Sequence, residues 1–193
     1  TLNAGSTALV QGANVEVVAL KDVVKLDSKG DGRNWGRTAR SDETLAGGVI
    51  QAGQNAIIQA TNGDATLVGA QLTADKGQAQ ITATNDVNIL AATTEHDYTN
   101  QIVRERHGLV STTKSNENTS SRSAQAEGST VSGHTVLVQA GRDATVAGSN
   151  VVGDGAVVIA AKRNLTVTTS EQSADDSSDV TKYSNHTVGS PPA

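Results

Sequence analysis

Apolar and polar residues alternate over short runs along most of the chain, and the runs recur. Val136, Val138 and Ala140 lead to Ala144 and Val146, as Ala79, Ile81 and Ala83 lead to Val87 and Ile89. A period of two marks strands with one buried face. Val, Ile, Leu and Ala hold the inward positions, while Thr, Gln and Asn hold most of the alternates. Each unit reads apolar-x-apolar-x-Ala, a turn, then apolar-x-apolar. Ala60 and Ala83 stand 23 residues apart, and Ala140 and Ala161 stand 21 apart. Two or three very short strands per unit predict the rung of a β-solenoid. A hairpin meander would repeat Asn-Gly-type turns between equal strands. Here the turns differ in kind and recur once per rung.

A larger repeat lies over the short one. Ile57-Ile58-Gln59-Ala60 runs on to Asp64-Ala65-Thr66, and Leu137-Val138-Gln139-Ala140 runs on to Asp143-Ala144-Thr145. Gln59 and Gln139 are 80 apart, Asp64 and Asp143 79, and Ile81 and Ile159 78. The one-residue slips fall in Gly/Asn/Asp-rich turns, which tolerate them. A slip within a strand would turn its apolar face outward. Asp22, Asp64, Asp86, Asp143 and Asn164 stand just before the second strand of a rung, where Asn and Asp suit turn chemistry.

The period breaks three times. The expected division is one β-helix segment over 1–189, with rungs at about 1–26, 47–91 and 129–169. Excursions are expected at 27–46, 92–128 and 170–189, with a terminal tail at 190–193. Each excursion follows the last strand of a rung, so all three are expected to leave at one corner. Alternation through Ile102, Arg104 and Arg106 before Gly108 predicts a hairpin or extended flap. For the Ser/Thr-rich tract over 111–123, a flexible return loop and a strand pairing along the neighbouring excursion both remain open.

Composition agrees with a narrow interior. Aromatics make up 2% of the 193 residues, with no Phe, Met or Cys and 19 Gly. A globular core of this length would normally use bulky rings. A net charge of −5 and a pI near 5.3 leave no basic footprint, so no nucleic-acid partner is expected. No apolar run reaches membrane-spanning length. The chain starts inside a repeat without a signal peptide, which predicts a fragment of a longer protein. Cut rungs would expose strand edges, so end-to-end self-association of the fragment is a possible contact.

Candidate chemistry is sparse. His96, His107, His134 and His186 show no ligand spacing, and neither a metal nor a cofactor is predicted. A calcium ladder would need Gly-Gly-x-Gly-x-Asp turns every nine residues. His96-Asp97 is at most half of a catalytic pair. A carbohydrate-active enzyme would draw on Asp75, Asp154, Lys76, Lys162 and Arg163, but one acidic residue per turn reads as solvated surface. Ice binding through Thr166, Thr168 and Thr169 would need the same row on every rung, and Gln59, Asn88 and Gln139 break it. The expectation is a non-enzymatic chain. Trp35, Tyr98 and Tyr183 sit in excursions, where each either staples a flap or anchors a partner. With Arg104, Arg106 and His107 they form the candidate partner-contact set.

Rungs of the form Gly-x-x-Val-x-Val-x-Ala-Gly-x-Asp, alternating with Ser/Thr-rich excursions, resemble the filamentous haemagglutinin-type repeats of two-partner-secretion exoproteins. That class, from Gram-negative bacteria, includes contact-dependent growth-inhibition toxins. The resembling stretches are 53–74, 77–92, 133–148 and 155–169. The excursion segment Arg104-Glu105-Arg106-His107-Gly108-Leu109 looks like the basic stretch ending in Gly-Leu found between rungs there. One departure is Lys25, which falls where Val167 lies in the last rung, with Val24 and Leu26 beside it; a register slip there would disturb the packing of the first rung. The resemblance implies an all-β, right-handed parallel β-helix with hairpin excursions, secreted or held on the outer-membrane surface. It further implies an outer-membrane transporter as export partner and a target-cell envelope or surface receptor as contact. The implied role is delivery of a C-terminal toxin, with adhesion as the alternative.

Overall fold

The computed structural model describes residues 1–109 and 111–186, so the expected tail at 190–193 lies outside the described residues. The first rung is β1 (Leu2–Ala4), β2 (Ala8–Gly12) and β3 (Val15–Val18), followed by an excursion of β4 (Leu20–Lys29) and β5 (Trp35–Ala46). The second rung is β6 (Val49–Ala52), β7 (Ala56–Ala60) and β8 (Ala65–Val68), and the third is β9 (Gln71–Ala74), β10 (Gln78–Ala83) and β11 (Val87–Leu90). A longer excursion follows, β12 (Ala92–His107) and β13 (Ser111–Glu127). The fourth rung is β14 (Thr130–Gly133), β15 (Thr135–Ala140) and β16 (Ala144–Ala147). The fifth is β17 (Asn150–Gly153), β18 (Val157–Ala161) and β19 (Leu165–Thr168), and β20 (Ser173–His186) leads out again.

First, second and third strands of the rungs stack into three sheets, ordered β1-β6-β9-β14-β17, β2-β7-β10-β15-β18 and β3-β8-β11-β16-β19. Their pairings are parallel. This is a parallel β-helix, and the described residues contain no helix. The excursions form a fourth sheet, β4-β5-β12-β13-β20, with antiparallel pairing between β5 and β12 and between β13 and β20. The chain divides into two compact units. One comprises Thr1–Asp22, Thr44–Thr94 and Gln125–Gln172; the other comprises Val23–Glu43, Glu95–Ala124 and the described residues from 173 on.

The helix interior consists of rows of like residues running rung to rung. Val10, Ile58, Ile81, Val138 and Ile159 share one row, and Val17, Leu67, Ile89, Val146 and Val167 another. Residues in the middle of each row are fully enclosed, with Ile58, Ile81, Leu67 and Ile89 at zero exposure. Those at the fifth rung are open, Val167 at 67%. Fully burying such a side chain stabilises by about 1.5–3 kcal/mol. The interior is thin because Ala fills alternate rows, for example Ala56 against Ala79 and Ala60 against Ala83.

The corner after each third strand has two outcomes. After β8 and β16 the chain turns directly into the next rung through Gly69 and Gly148, both at positive φ (58° and 55°). A left-handed conformation costs a residue with a Cβ about 1–2 kcal/mol, and a Cβ on Gly69 would also sit 2.8 Å from that of Ala92. After β3, β11 and β19 the chain instead runs into an excursion. Ser129, fully buried, anchors the return of the second one. Its hydroxyl donates to the Leu90 carbonyl at 2.7 Å and accepts from the Ala70 amide at 3.0 Å.

Two expectations about the first rung need correcting. β4 starts at Leu20, so Val24, Lys25 and Leu26, assigned to a rung over 1–26, lie on an excursion strand instead. The counterpart of Val167 is Val17, not Lys25, and no register slip occurs. The run Val23-Val24-Lys25-Leu26 is as apolar as a rung strand, but β3 already fills that position in the stack. The Ser/Thr tract is strand, pairing with β20 from Ser111↔His186 to Ala124↔Ser173.

Position along a row should set the cost of truncation. Leu67→Ala is expected to destabilise by about 2–5 kcal/mol, while Val167→Ala, on the same row, should change stability by less than about 1 kcal/mol. Urea denaturation followed by circular dichroism reads the difference, and equal costs would contradict the enclosed-row geometry.

Candidate interaction surface

The turns between the second and third strands of each rung carry a ladder of Asn and Asp side chains. The Asn14 Oδ1 accepts the Asp64 amide at 2.9 Å, and Asp64 accepts that of Asp86 at 3.1 Å. Asp86 in turn accepts the amide of Asp143, and Asp143 that of Asn164, each at 3.1 Å. Asn14 therefore holds the first-rung place that the sequence spacing assigns to Asp22. Asp22 lies on β4, after the third strand of its rung. Two arginines clasp the ladder. Arg142 grips Asp86 with its Nε at 3.1 Å and Nη2 at 2.7 Å, and Arg163 grips Asp143 in the same two-pronged way. The bond from Arg163, with help from Asn164, lowers the Asp143 carboxyl to about 2. Asp86 is lowered as well, first by Arg142 and then by the Asp143 amide. The recurring carboxylates thus bond to backbone and guanidinium, and no group of three or more acidic or histidine side chains suited to a metal occurs among the described residues. Arg163, one of the candidates for polysaccharide chemistry, is bound to Asp143 in this ladder.

The second unit is a sheet of long polar strands. Across β5 and β12, Trp35 lies opposite Val103, Arg40 opposite Tyr98 and Asp42 opposite His96. The hairpin of β12 and β13 closes with the Gly108 amide on the Ser111 carbonyl at 2.7 Å. Successive residues face opposite sides, and this separates His96 from Asp97. His96 Nδ1 meets Asp42 at 3.2 Å, while Asp97 accepts from Arg122 at 2.7 Å, so the two do not form a pair. Arg40 also bridges to Asp42, and together with the His96 contact it lowers the Asp42 carboxyl, the arginine bond contributing most. Ser121 and Ser123 share a groove of about 240 Å³ with His96. Among the described residues neither serine hydrogen-bonds to the ring, whose partner is Asp42.

Five of the six candidate contact residues gather at one end of this sheet. The Trp35 ring lies under the Lys29 ammonium, 5.5 Å from its centroid. Arg104 reaches Glu117 at 3.9 Å, and His107 touches Glu105 at 3.3 Å and Thr112 at 3.0 Å. Arg106 is exposed and makes no salt bridge among the described residues. Tyr183 lies opposite Lys114 and is 66% exposed. Tyr98 stands apart, in a groove of about 500 Å³ with Asp97, Arg122, Asp175 and Asp176. Ser129 and Asn14 are not evident from the sequence. A serine two residues before an apolar strand position carries no pattern of its own, and Asn14 is hidden by the polar run around it.

A family model for the hemagglutinin repeat matches residues 30–187, which covers most of the chain. The chain belongs to the hemagglutinin repeat family. The curated relatives of this hemagglutinin-repeat chain include "tRNA nuclease CdiA-2" of Burkholderia pseudomallei (strain 1026b). It is 29% identical over 176 residues, 90% of this chain and 6% of the relative. Another is "tRNA nuclease CdiA" of Burkholderia pseudomallei, also 29% identical over 176 residues, here 14% of the relative. The repeats described here therefore span a small fraction of the curated relatives they match. No solved structure matches.

The arginine–carboxylate ladder should be visible in acid. A carboxylate whose folded pKa is depressed contributes stability fully above its unfolded value and loses it as pH falls through the folded one. For Asp143 the window runs from 3.8 down to about 2. Asp143→Asn keeps an oxygen for the Asn164 amide but releases Arg163. Its melting temperature should lie below that of the wild type at pH 7, and the gap should close towards pH 2. Melts across this range check it, and a pH-independent gap would contradict the ladder's role.

Proposed function

We propose that this segment is a non-enzymatic structural stretch of a secreted, cell-surface exoprotein, supporting contact-dependent delivery of a toxin carried elsewhere in the same protein. The observation that carries the reading is the small fraction of nuclease-named relatives that the repeats span. A chain built of rungs and polar strands, with its carboxylates bound into a ladder, supports reach and contact better than turnover. Successive rungs advance by about 4.8 Å, so length comes with every repeat, and each excursion adds polar surface. On this reading an outer-membrane transporter exports the chain, and the envelope or a surface receptor of a target bacterium is what it meets.

Adhesion is the second reading, favoured by the exposed aromatic and arginine side chains gathered on the excursion sheet. One experiment separates the two. Residues 92–128 are deleted from the protein that carries them, and surface display, cell-to-cell binding and growth inhibition of target cells are each measured. Delivery predicts normal display and binding with lost inhibition. Lost binding with normal display favours adhesion, and unchanged inhibition contradicts the delivery role.

A further inference from the structure

The excursion sheet is electrostatically polarised along its strands. Register places the turn between β4 and β5, the turn between β12 and β13, and the far end of β20 at one end of the sheet. That end carries six cations, Lys29, Arg33, Arg104, Arg106, Lys114 and Lys182, against the carboxylates of Asp31, Glu105, Glu117 and Asp179. Glu105 is engaged by His107 and Glu117 by Arg104. Arg33, Arg106, Lys114 and Lys182 make no salt bridge among the described residues. At the opposite end the balance reverses, with Asp42, Glu43, Glu95, Asp97, Asp175 and Asp176 against Lys25, Arg40 and Arg122.

Apolar groups stand among the cations. Leu109 projects from the hairpin turn with its side chain fully open (106%), Tyr183 is 66% exposed and Val180 53%. Trp35, the one tryptophan of the chain, lies beneath Lys29 at the same end. A turn leucine in water gains nothing by its position, whereas one ringed by arginine and lysine suits a boundary that is charged outside and apolar beneath. Trp and Tyr favour that boundary because their rings are apolar with one polar atom, and long basic side chains reach phosphates while their stems lie on hydrocarbon.

We propose that this turn end of the excursion sheet is a docking surface for an anionic lipid bilayer. The cations approach the headgroup phosphates, and Leu109 enters the acyl boundary between them. The chain as a whole carries −5, so attraction to an anionic surface must come from this patch and must weaken as salt screens it. A soluble polyanion would satisfy the cations but leave Leu109 without a partner. The proposal holds for either reading of the protein's role, and its failure would leave both standing.

The test is co-sedimentation of the chain with vesicles of equal parts phosphatidylcholine and phosphatidylglycerol at low ionic strength, beside a Trp35 fluorescence titration. Binding with a blue shift is expected, reversed by added salt and absent on pure phosphatidylcholine. The double variant Arg106→Gln, Lys114→Gln should weaken partitioning about thirty-fold, and Leu109→Ser about tenfold. All three positions are exposed, and an unchanged circular dichroism spectrum confirms that the variants fold. No binding to the anionic vesicles would overturn the proposal, as would equal binding to neutral ones or variants that bind like wild type. Binding to heparin but not to vesicles would overturn it too, by assigning the patch to a polyanion.

Discussion

Everything in this structure depends on backbone hydrogen bonds between successive rungs. Each rung strand pairs in parallel with its neighbours in the stack, and the turns join the same scheme: the Asp143 carbonyl accepts the Val87 amide, and the Asn164 carbonyl accepts that of Ala144. Buried amides and carbonyls must be paired, so the ladder fixes the register, and the register decides which side chains meet. With like positions stacked, only side chains that fit their own copies are accommodated inside. That constraint explains the Val, Ile, Leu and Ala of the interior and the near absence of aromatics.

The same constraint separates scaffold from surface. A rung admits no insertion within its strands, because one extra residue would invert its faces. Extra chain therefore leaves after the third strand, where a glycine turn is the alternative. The excursions are held by pairing with one another, so their faces need no apolar pattern and are free to carry charge and hydroxyl groups. A polar strand as long as β13, with 17 residues, is stable on these terms because β20 pairs with it in unbroken register from Ser111 to Ala124.

How legible this was in the sequence follows from the same division. Interior rows announce themselves by periodicity: Val136, Val138, Ala140, Ala144 and Val146 were readable as buried and are buried. The first rung misled because Val23, Val24 and Leu26 imitate a rung strand, and because Asn14 replaces the aspartate of later rungs. The Ser/Thr tract could not be assigned alone, since its strand character comes from a partner some sixty residues away, Ser121 opposite Asp176 for instance. The gathering of Trp35, Arg104, Arg106, His107 and Tyr183 at one sheet end was likewise invisible, because it depends on cross-strand register between segments far apart. His96 and Asp97, adjacent in sequence, were the reverse case and are drawn to different partners.

Amide hydrogen exchange resolved to single residues tests the central claim most directly. If stacking between rungs governs stability, amides in β7, β10 and β15, each flanked on both sides, exchange slowest. Those of β18 and β19, open on one side, then exchange measurably faster. Protection in the fifth rung equal to that in β10, or uniformly weak protection through all five rungs, would contradict the account.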